Sequence, residues 1–153
     1  GQWLLCKHGT VTLEEVESAL EKASSDPGIA FFKHEPFVLH VQCRNVEAAC
    51  QLMEVARSAG FRESGISIGK KHIIVGIRTS SLKIEAPVHE NGRMLVTKDY
   101  LQVLVRLAND KFVKNREKTD RFYILLRQSL LQSVPVPDEL LDGAGGEPSR
   151  ETV

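Results

Sequence analysis

Lys33-His34-Glu35 puts a cation, an imidazole and a carboxylate in three consecutive positions. Pro36 follows, then Phe37-Val38-Leu39-His40-Val41-Gln42, an apolar run with a second imidazole inside it. Imidazoles and carboxylates are the side chains that move protons near neutral pH. Setting them beside a buried strand costs desolvation energy unless each has a partner or a use. His8, Glu35 and His40 are therefore the candidate catalytic groups. The competing reading makes His40 a packed or edge residue and Glu35 the ion-pair partner of Lys33. Lys33, Arg62, Lys70, Lys71 and Arg78 suit the anchoring of phosphates or carboxylates. Ser64-Gly65 offers small residues where backbone amides can approach a ligand.

Other chemistries lack their patterns. No Gly-x-Gly-x-x-Gly turn and no P-loop is present, and Gly69-Lys70-Lys71 is only a fragment of phosphate-binding chemistry. No strand carries the aromatic ribonucleoprotein motif. Cys6-x-His8 and His40-x-x-Cys43 could supply zinc ligands only if their strands were neighbours. Neither pair is a Cys-x-x-Cys knuckle, so no metal is expected.

The elements that must position these residues alternate along the chain. Trp3–Lys7 reads as a first strand. Thr12-Leu-Glu-Glu15 is a capping box that opens a helix to about Ala23, and Asp26-Pro27-Gly28 is a turn. Strands are expected at 29–33 and 37–42, with Pro36 at the start of the second, where no ladder donor is needed. Asn45 caps a second helix that buries Val46, Ala49, Cys50, Met53 and Ala56, and Gly60 ends it. Strands follow at 64–68, 72–78 and 82–88, then a Glu90-Asn91-Gly92 hairpin into 94–96. Thr97 caps a long last helix with an apolar stripe at Leu101, Leu104, Ala108, Phe112, Phe122, Leu126 and Leu130. Its polar middle, residues 114–121, implies that the helix leaves the body or breaks there. The fold class is α+β, a mixed sheet flanked by helices with a long C-terminal helix. Residues 1–132 form one domain and 133–153 a flexible tail.

The chain has 153 residues, 42% of them hydrophobic and 26% charged, as in a globular protein able to bury its own core. No apolar run approaches a membrane span. Cys6, Cys43 and Cys50 suggest no disulfide framework, which points to a reducing, cytoplasmic location. The start at Gly1-Gln2-Trp3, without Met, reads as a fragment boundary that cuts into a strand. Net charge is zero but segregated. Residues 12–54 carry three cations against eight anions, a net −5, and residues 57–98 eight against three, a net +5. Residues 99–132 add +3 and the tail −4. A neutral chain can thus present one basic face to a phosphate backbone.

A family resemblance emerges from ordered sequence words. They are Trp3-Leu-Leu with His8, then Lys33-x-Glu35-Pro36-Phe37-Val38-Leu39-His40-Val41. Gly60-Phe61-Arg62-x-Ser64-Gly65-Ile66, Gly69-Lys70, Arg78, Glu85-Ala86-Pro87, Leu95-Val96-Thr97 and Arg121-Phe122-Tyr123 follow. Over residues 3–131 the chain resembles the tRNA wybutosine-synthesizing protein 3 family, in its eukaryotic form. The resemblance implies S-adenosylmethionine-dependent N-methylation of a tricyclic guanosine derivative beside the anticodon of phenylalanine tRNA. It also implies contact with other wybutosine-synthesis enzymes. The family has a Ser/Cys-rich, Gly-Arg motif upstream of the Trp word, so this part is expected to fold without the complete active site. Two alternatives stand beside the enzyme: a tRNA-binding module without chemistry, and a scaffold domain of a larger enzyme.

Methyl transfer to a ring nitrogen needs a lone pair aligned with the donor, which a base can expose or orient. His8 and His40, on two neighbouring strands, are expected to face one cleft. Strand alternation would then put Val38, His40 and Gln42 on one face and Phe37, Leu39 and Val41 in the core.

Overall fold

In the computed structural model, which describes residues 2–22 and 27–130, three helices and six strands form two halves bridged by one helix. The helices are α1 (Leu13–Lys22), α2 (Val46–Ser58) and α3 (Lys98–Leu130). The strands are β1 (Ile29–His34), β2 (Leu39–Cys43), β3 (Gly65–Ile68), β4 (Ile73–Ile77), β5 (Ile84–Glu90) and β6 (Arg93–Met94). The architecture is α+β with a long C-terminal helix. Its β-structure is divided between two antiparallel sheets, ordered β1-β5-β6 and β2-β4-β3.

Local chemistry sets the element ends. The Thr12 amide donates to Glu15 Oε2 at 2.8 Å and the Glu15 amide to Thr12 Oγ1 at 3.2 Å, a reciprocal capping box. Asn45 Oδ1 accepts the Ala48 amide at the start of α2. At its other end the Phe61 amide bonds Ala56 O and the Gly60 amide bonds Arg57 O. That is a Schellman motif, and Gly60 takes the φ of +100° it requires. Asn91 and Gly92 both have positive φ, which matches the right-handed twist of the β5–β6 hairpin.

Two cores result. Val16, Leu20, Val88, Leu101, Leu104 and Val105 pack α1 and the first half of α3 on the β1-β5-β6 sheet. Ala49, Leu52, Val55, Ala56, Ala59, Phe61, Val75, Ile77 and Phe122 pack α2 and the second half of α3 on the β2-β4-β3 sheet. The buried face of α2 is therefore rotated from the expected one. Ala49 and Ala56 are buried as expected, but Val46 and Cys50 are exposed. The stripe 49, 52, 56, 59 meets the sheet, with Leu52 and Ala59 buried, Met53 half-buried and Cys50 exposed.

Three further expectations change. Trp3–Lys7 forms no strand: no sheet edge pairs with it, Trp3 is 72% exposed, and only Leu4 of that run packs on a core. Pro36 precedes β2 by three residues and is buried in the connection. The polar middle of α3 neither leaves the body nor breaks. With Asn109 and Lys111 just before it, it serves as a rail for loop backbones. Asn109 bonds both the amide and the carbonyl of Val11, at 2.9 and 2.8 Å. Lys111 donates to Ser81 O, Asn115 Oδ1 accepts the Phe37 amide at 2.9 Å, and Lys118 donates to Gly60 O. The 23–26 part of the first turn and the tail 133–153 lie outside the described residues.

Asn115→Ala leaves the part-buried Phe37 amide without its acceptor. We expect a loss of about 1–3 kcal/mol, the cost of one orphaned donor. A lowered urea midpoint with an unchanged slope is the measurement; an unmoved midpoint would mean that water replaces Asn115 at no cost.

Candidate functional site

The β2-β4-β3 sheet has one apolar and one polar face because successive strand residues point to opposite sides. Val41, Cys43, Ile66, Ile73, Val75 and Ile77 face α2 and α3. The other face is set by register. His40 lies opposite Gly76, and Gly76 opposite Gly65. Gln42 lies opposite Ile74, and Ile74 opposite Ser67. His40 and Gln42 are exposed there, with Phe37 and Val41 packed on the core, as the alternation predicts. Leu39 is 36% exposed at the rim.

This face gathers the cations of the β2–β4 region. Arg44 and His72 continue its parity one residue past the pairing, and both are exposed. Lys70 and Lys71 are exposed in the β3–β4 turn. Arg78 follows β4, with its Nε donating to Glu63 O at 3.3 Å. Among Gly65, Ser67, His40, Gln42, Arg44, His72, Ile74 and Gly76 there is no carboxylate; past the pairing, Arg78 is matched by Glu63. Glu63, at its corner, is turned to the Ser80 amide. The Ser80 hydroxyl and amide hold its carboxyl below the usual carboxylate range.

The remaining sequence candidates are placed elsewhere or already engaged. Lys33 pairs with Glu85 at 2.7 Å and lies 5.3 Å from the Phe31 ring centre. Glu35 pairs with Lys83, not Lys33, at 3.6 Å, and Lys83 also holds Glu85 at 3.0 Å. The hydrogen bonds of Lys33 and then Lys83 keep the Glu85 carboxyl low. This exposed network belongs to the β1-β5 side. The buried Ser64 hydroxyl donates to Phe61 O at 2.7 Å and accepts the Arg78 amide, so it shapes the turn into β3. Arg62 is exposed beside that turn. His8 is exposed in the irregular N-terminal segment, next to Lys7, which Glu15 of α1 holds at 2.7 Å. The expected cleft between two neighbouring strands does not form, because its first strand is absent. Of His8, Glu35 and His40, only His40 lies on the cationic face, which it shares with His72.

Ser67, Gly76, Arg44 and His72 escaped the sequence reading. Period-two counting from His40 reaches Gln42 and Arg44, and from Arg78 it reaches Gly76 and His72. Only the pairing register reveals that these sets share a face. Among the described residues no group of three or more His, Cys, Asp or Glu is arranged to hold a metal. No described helix is long and apolar enough to cross a membrane. A cavity of about 360 Å³ between α2 and the end of α3 is lined by Gln51, Glu54, Ser58, Gln128 and Ser129 among others. A second, of about 270 Å³, is apolar throughout, between Leu39, Val41, Leu52, Phe122 and Leu126. Neither reaches the cationic face.

A family model described as Methyltransferase TYW3 matches residues 1–128. The tRNA wybutosine-synthesizing protein 3 homolog of Xenopus laevis is 40% identical over 137 residues, covering 90% of this chain and 53% of that protein. The homolog of the same name from Pongo abelii is 41% identical over 128 residues, covering 84% of this chain and 48% of that protein. The chain thus spans about half the length of these curated relatives. The solved structure of the PH1069 protein from Pyrococcus horikoshii aligns with a TM-score of 0.73 and 35% identity, covering 79% of this chain and 61% of that one.

Proposed function

Since this chain belongs to the Methyltransferase TYW3 family, we propose that its cationic sheet face holds tRNA for S-adenosylmethionine-dependent methylation of a wybutosine precursor. The target is the modified guanosine beside the anticodon of phenylalanine tRNA. The observation that carries this reading is the family match over 1–128, joined to a sheet face whose paired positions hold no carboxylate. Phosphate contacts position a nucleic acid, and cations that release its counterions supply the affinity. Lys70, Lys71, Arg62 and Arg78 stand at the turns that bound the face. His40, exposed in its middle, accepts the proton of the target ring nitrogen or fixes its tautomer.

S-Adenosylmethionine, when bound, supplies an electrophilic methyl group. Of this chain's residues, Gly65 and Arg78 fit it. Gly65 leaves strand backbone uncovered, and the Arg78 guanidinium suits a carboxylate. The apolar cavity does not fit, since it has no group for a zwitterionic amino acid.

Replacing Lys70, Lys71 and Arg78 together by Glu tests the interface. We expect much weaker binding of phenylalanine tRNA. The slope of log affinity against log salt should become shallower by about two to three, near 0.7–0.9 per lost phosphate contact. Equal affinity and equal slope across a salt titration would sink the proposal.

A further inference from the structure

We infer that the floor over Gly65, beside the His40 imidazole, seats one flat purine ring. The inference rests on the tRNA-methylation reading above and names the ligand part that this face takes. A glycine in a strand carries an entropic cost even at its first position, where Gly65 opens β3, and its usual reasons are a positive φ, a tight neighbour or the close approach of a ligand. Gly65 has neither of the first two. It is not among the glycines with positive φ, and a Cβ built on it meets nothing within 4 Å.

Gly76 is different. A Cβ there would come within 3.2 Å of His40 Cδ2 and 3.4 Å of Nε2. Gly76 is bare so that the imidazole can lie against β4, and the Cδ2–Nε2 edge covers the strand next to Gly65. The result is a ring edge on one side and uncovered backbone on the other. The side chains of His40, Gln42 and Ser67 make no hydrogen bond to another described residue. Ile74, 37% exposed, adds an apolar patch between Gln42 and Ser67. Arg78 lies two residues beyond Gly76, just past the end of β4.

These groups suit a planar heteroaromatic ring with a hydrogen-bonding edge. Glycine backbone admits its flat face, and an imidazole, an amide and a hydroxyl meet its edge. The guanidinium meets an attached phosphate or carboxylate. Two sources share this chemistry: the target base of the RNA, and the adenine of the methyl donor.

The test is an amide-shift titration of isotope-labelled protein, separately with guanosine monophosphate and with S-adenosylhomocysteine. We expect at least one to move the Gly65 and Gly76 amides and the His40 ring protons together. A response to the first identifies the RNA base, and a response to the second the donor adenine. Gly65→Val should weaken that response about tenfold, the scale of one lost stacking contact, without moving the thermal midpoint. Gly65→Ala should act in the same direction more mildly. Silence of these signals with both probes overturns the seat, and so does a response that survives Gly65→Val. A third titration with the anticodon stem-loop of phenylalanine tRNA separates the two readings. Shifts at Lys70, Lys71 and Arg78 without Gly65 would discard the seat and keep the RNA surface. A silent face would discard both.

Discussion

His40→Ala in the natural full-length protein is expected to slow single-turnover methyl transfer by ~10²-fold or more, the scale of a lost acid–base group. Its thermal midpoint should stay nearly fixed. The side chain is exposed on the outer face of the sheet, over Gly76, where an added Cβ would come within 3.2 Å of its Cδ2. Truncation therefore opens no cavity in either core. Affinity for tRNA should also hold, because the cations proposed to bind phosphate remain. If His40 were a packing residue, the midpoint would fall and the rate per folded molecule would persist. Rate and midpoint from one preparation decide the matter. A full rate with an unmoved midpoint would leave His40 without a role.

Phe61→Ala should have the largest effect on stability, a loss of about 3–5 kcal/mol. Phe61 is fully buried. Its ring centre lies 5.5 Å from that of Phe37 and 6.0 Å from that of Phe122, nearly edge-on to the latter at 85°. The three rings come from the β1–β2 connection, the end of α2 and the last third of α3. Removing the middle one opens a cavity where three elements meet, and backbone held by the Gly60 cap cannot collapse to fill it. Phe31, 48% exposed on the first sheet, serves as the control, and its truncation should cost far less. Similar urea midpoints for the two variants would refute this account of the core.

The features legible in the sequence are those whose causes lie within a few residues. Thr12 and Glu15, Asn45 and Ala48, the Gly60 cap and the Asn91-Gly92 turn each close a hydrogen bond or a strained φ over a short span. Their chemistry is complete before any long-range contact forms. The ordered words from Trp3 to Tyr123 likewise pointed to the family, since such a match needs no coordinates. Helix existence followed from periodicity, but the buried face of α2 did not. Cys50 and Met53 suit an interior as well as Leu52 and Ala59 do, and only the sheet chooses between them.

Tertiary structure decided the rest. Trp3–Lys7 has the composition of a strand, but a strand exists only where another edge supplies its hydrogen bonds, and none is offered there. The polar middle of α3 resembles a solvated face until Val11, Phe37, Ser81 and Gly60 bring backbone groups to it. Lys33 and Glu35 are near neighbours in sequence, yet each finds its partner on or beside β5. The proposed site follows the same rule. His40, Gly65, Gly76 and Arg78 are scattered over nearly forty positions, and alternation alone fixes only the side of its own strand that each residue takes. Pairing registers between β2, β4 and β3 bring three of them into one row, with Arg78 on the same side two residues beyond Gly76. That register is set by apolar residues on the opposite face, which bury only when the strands align in this way.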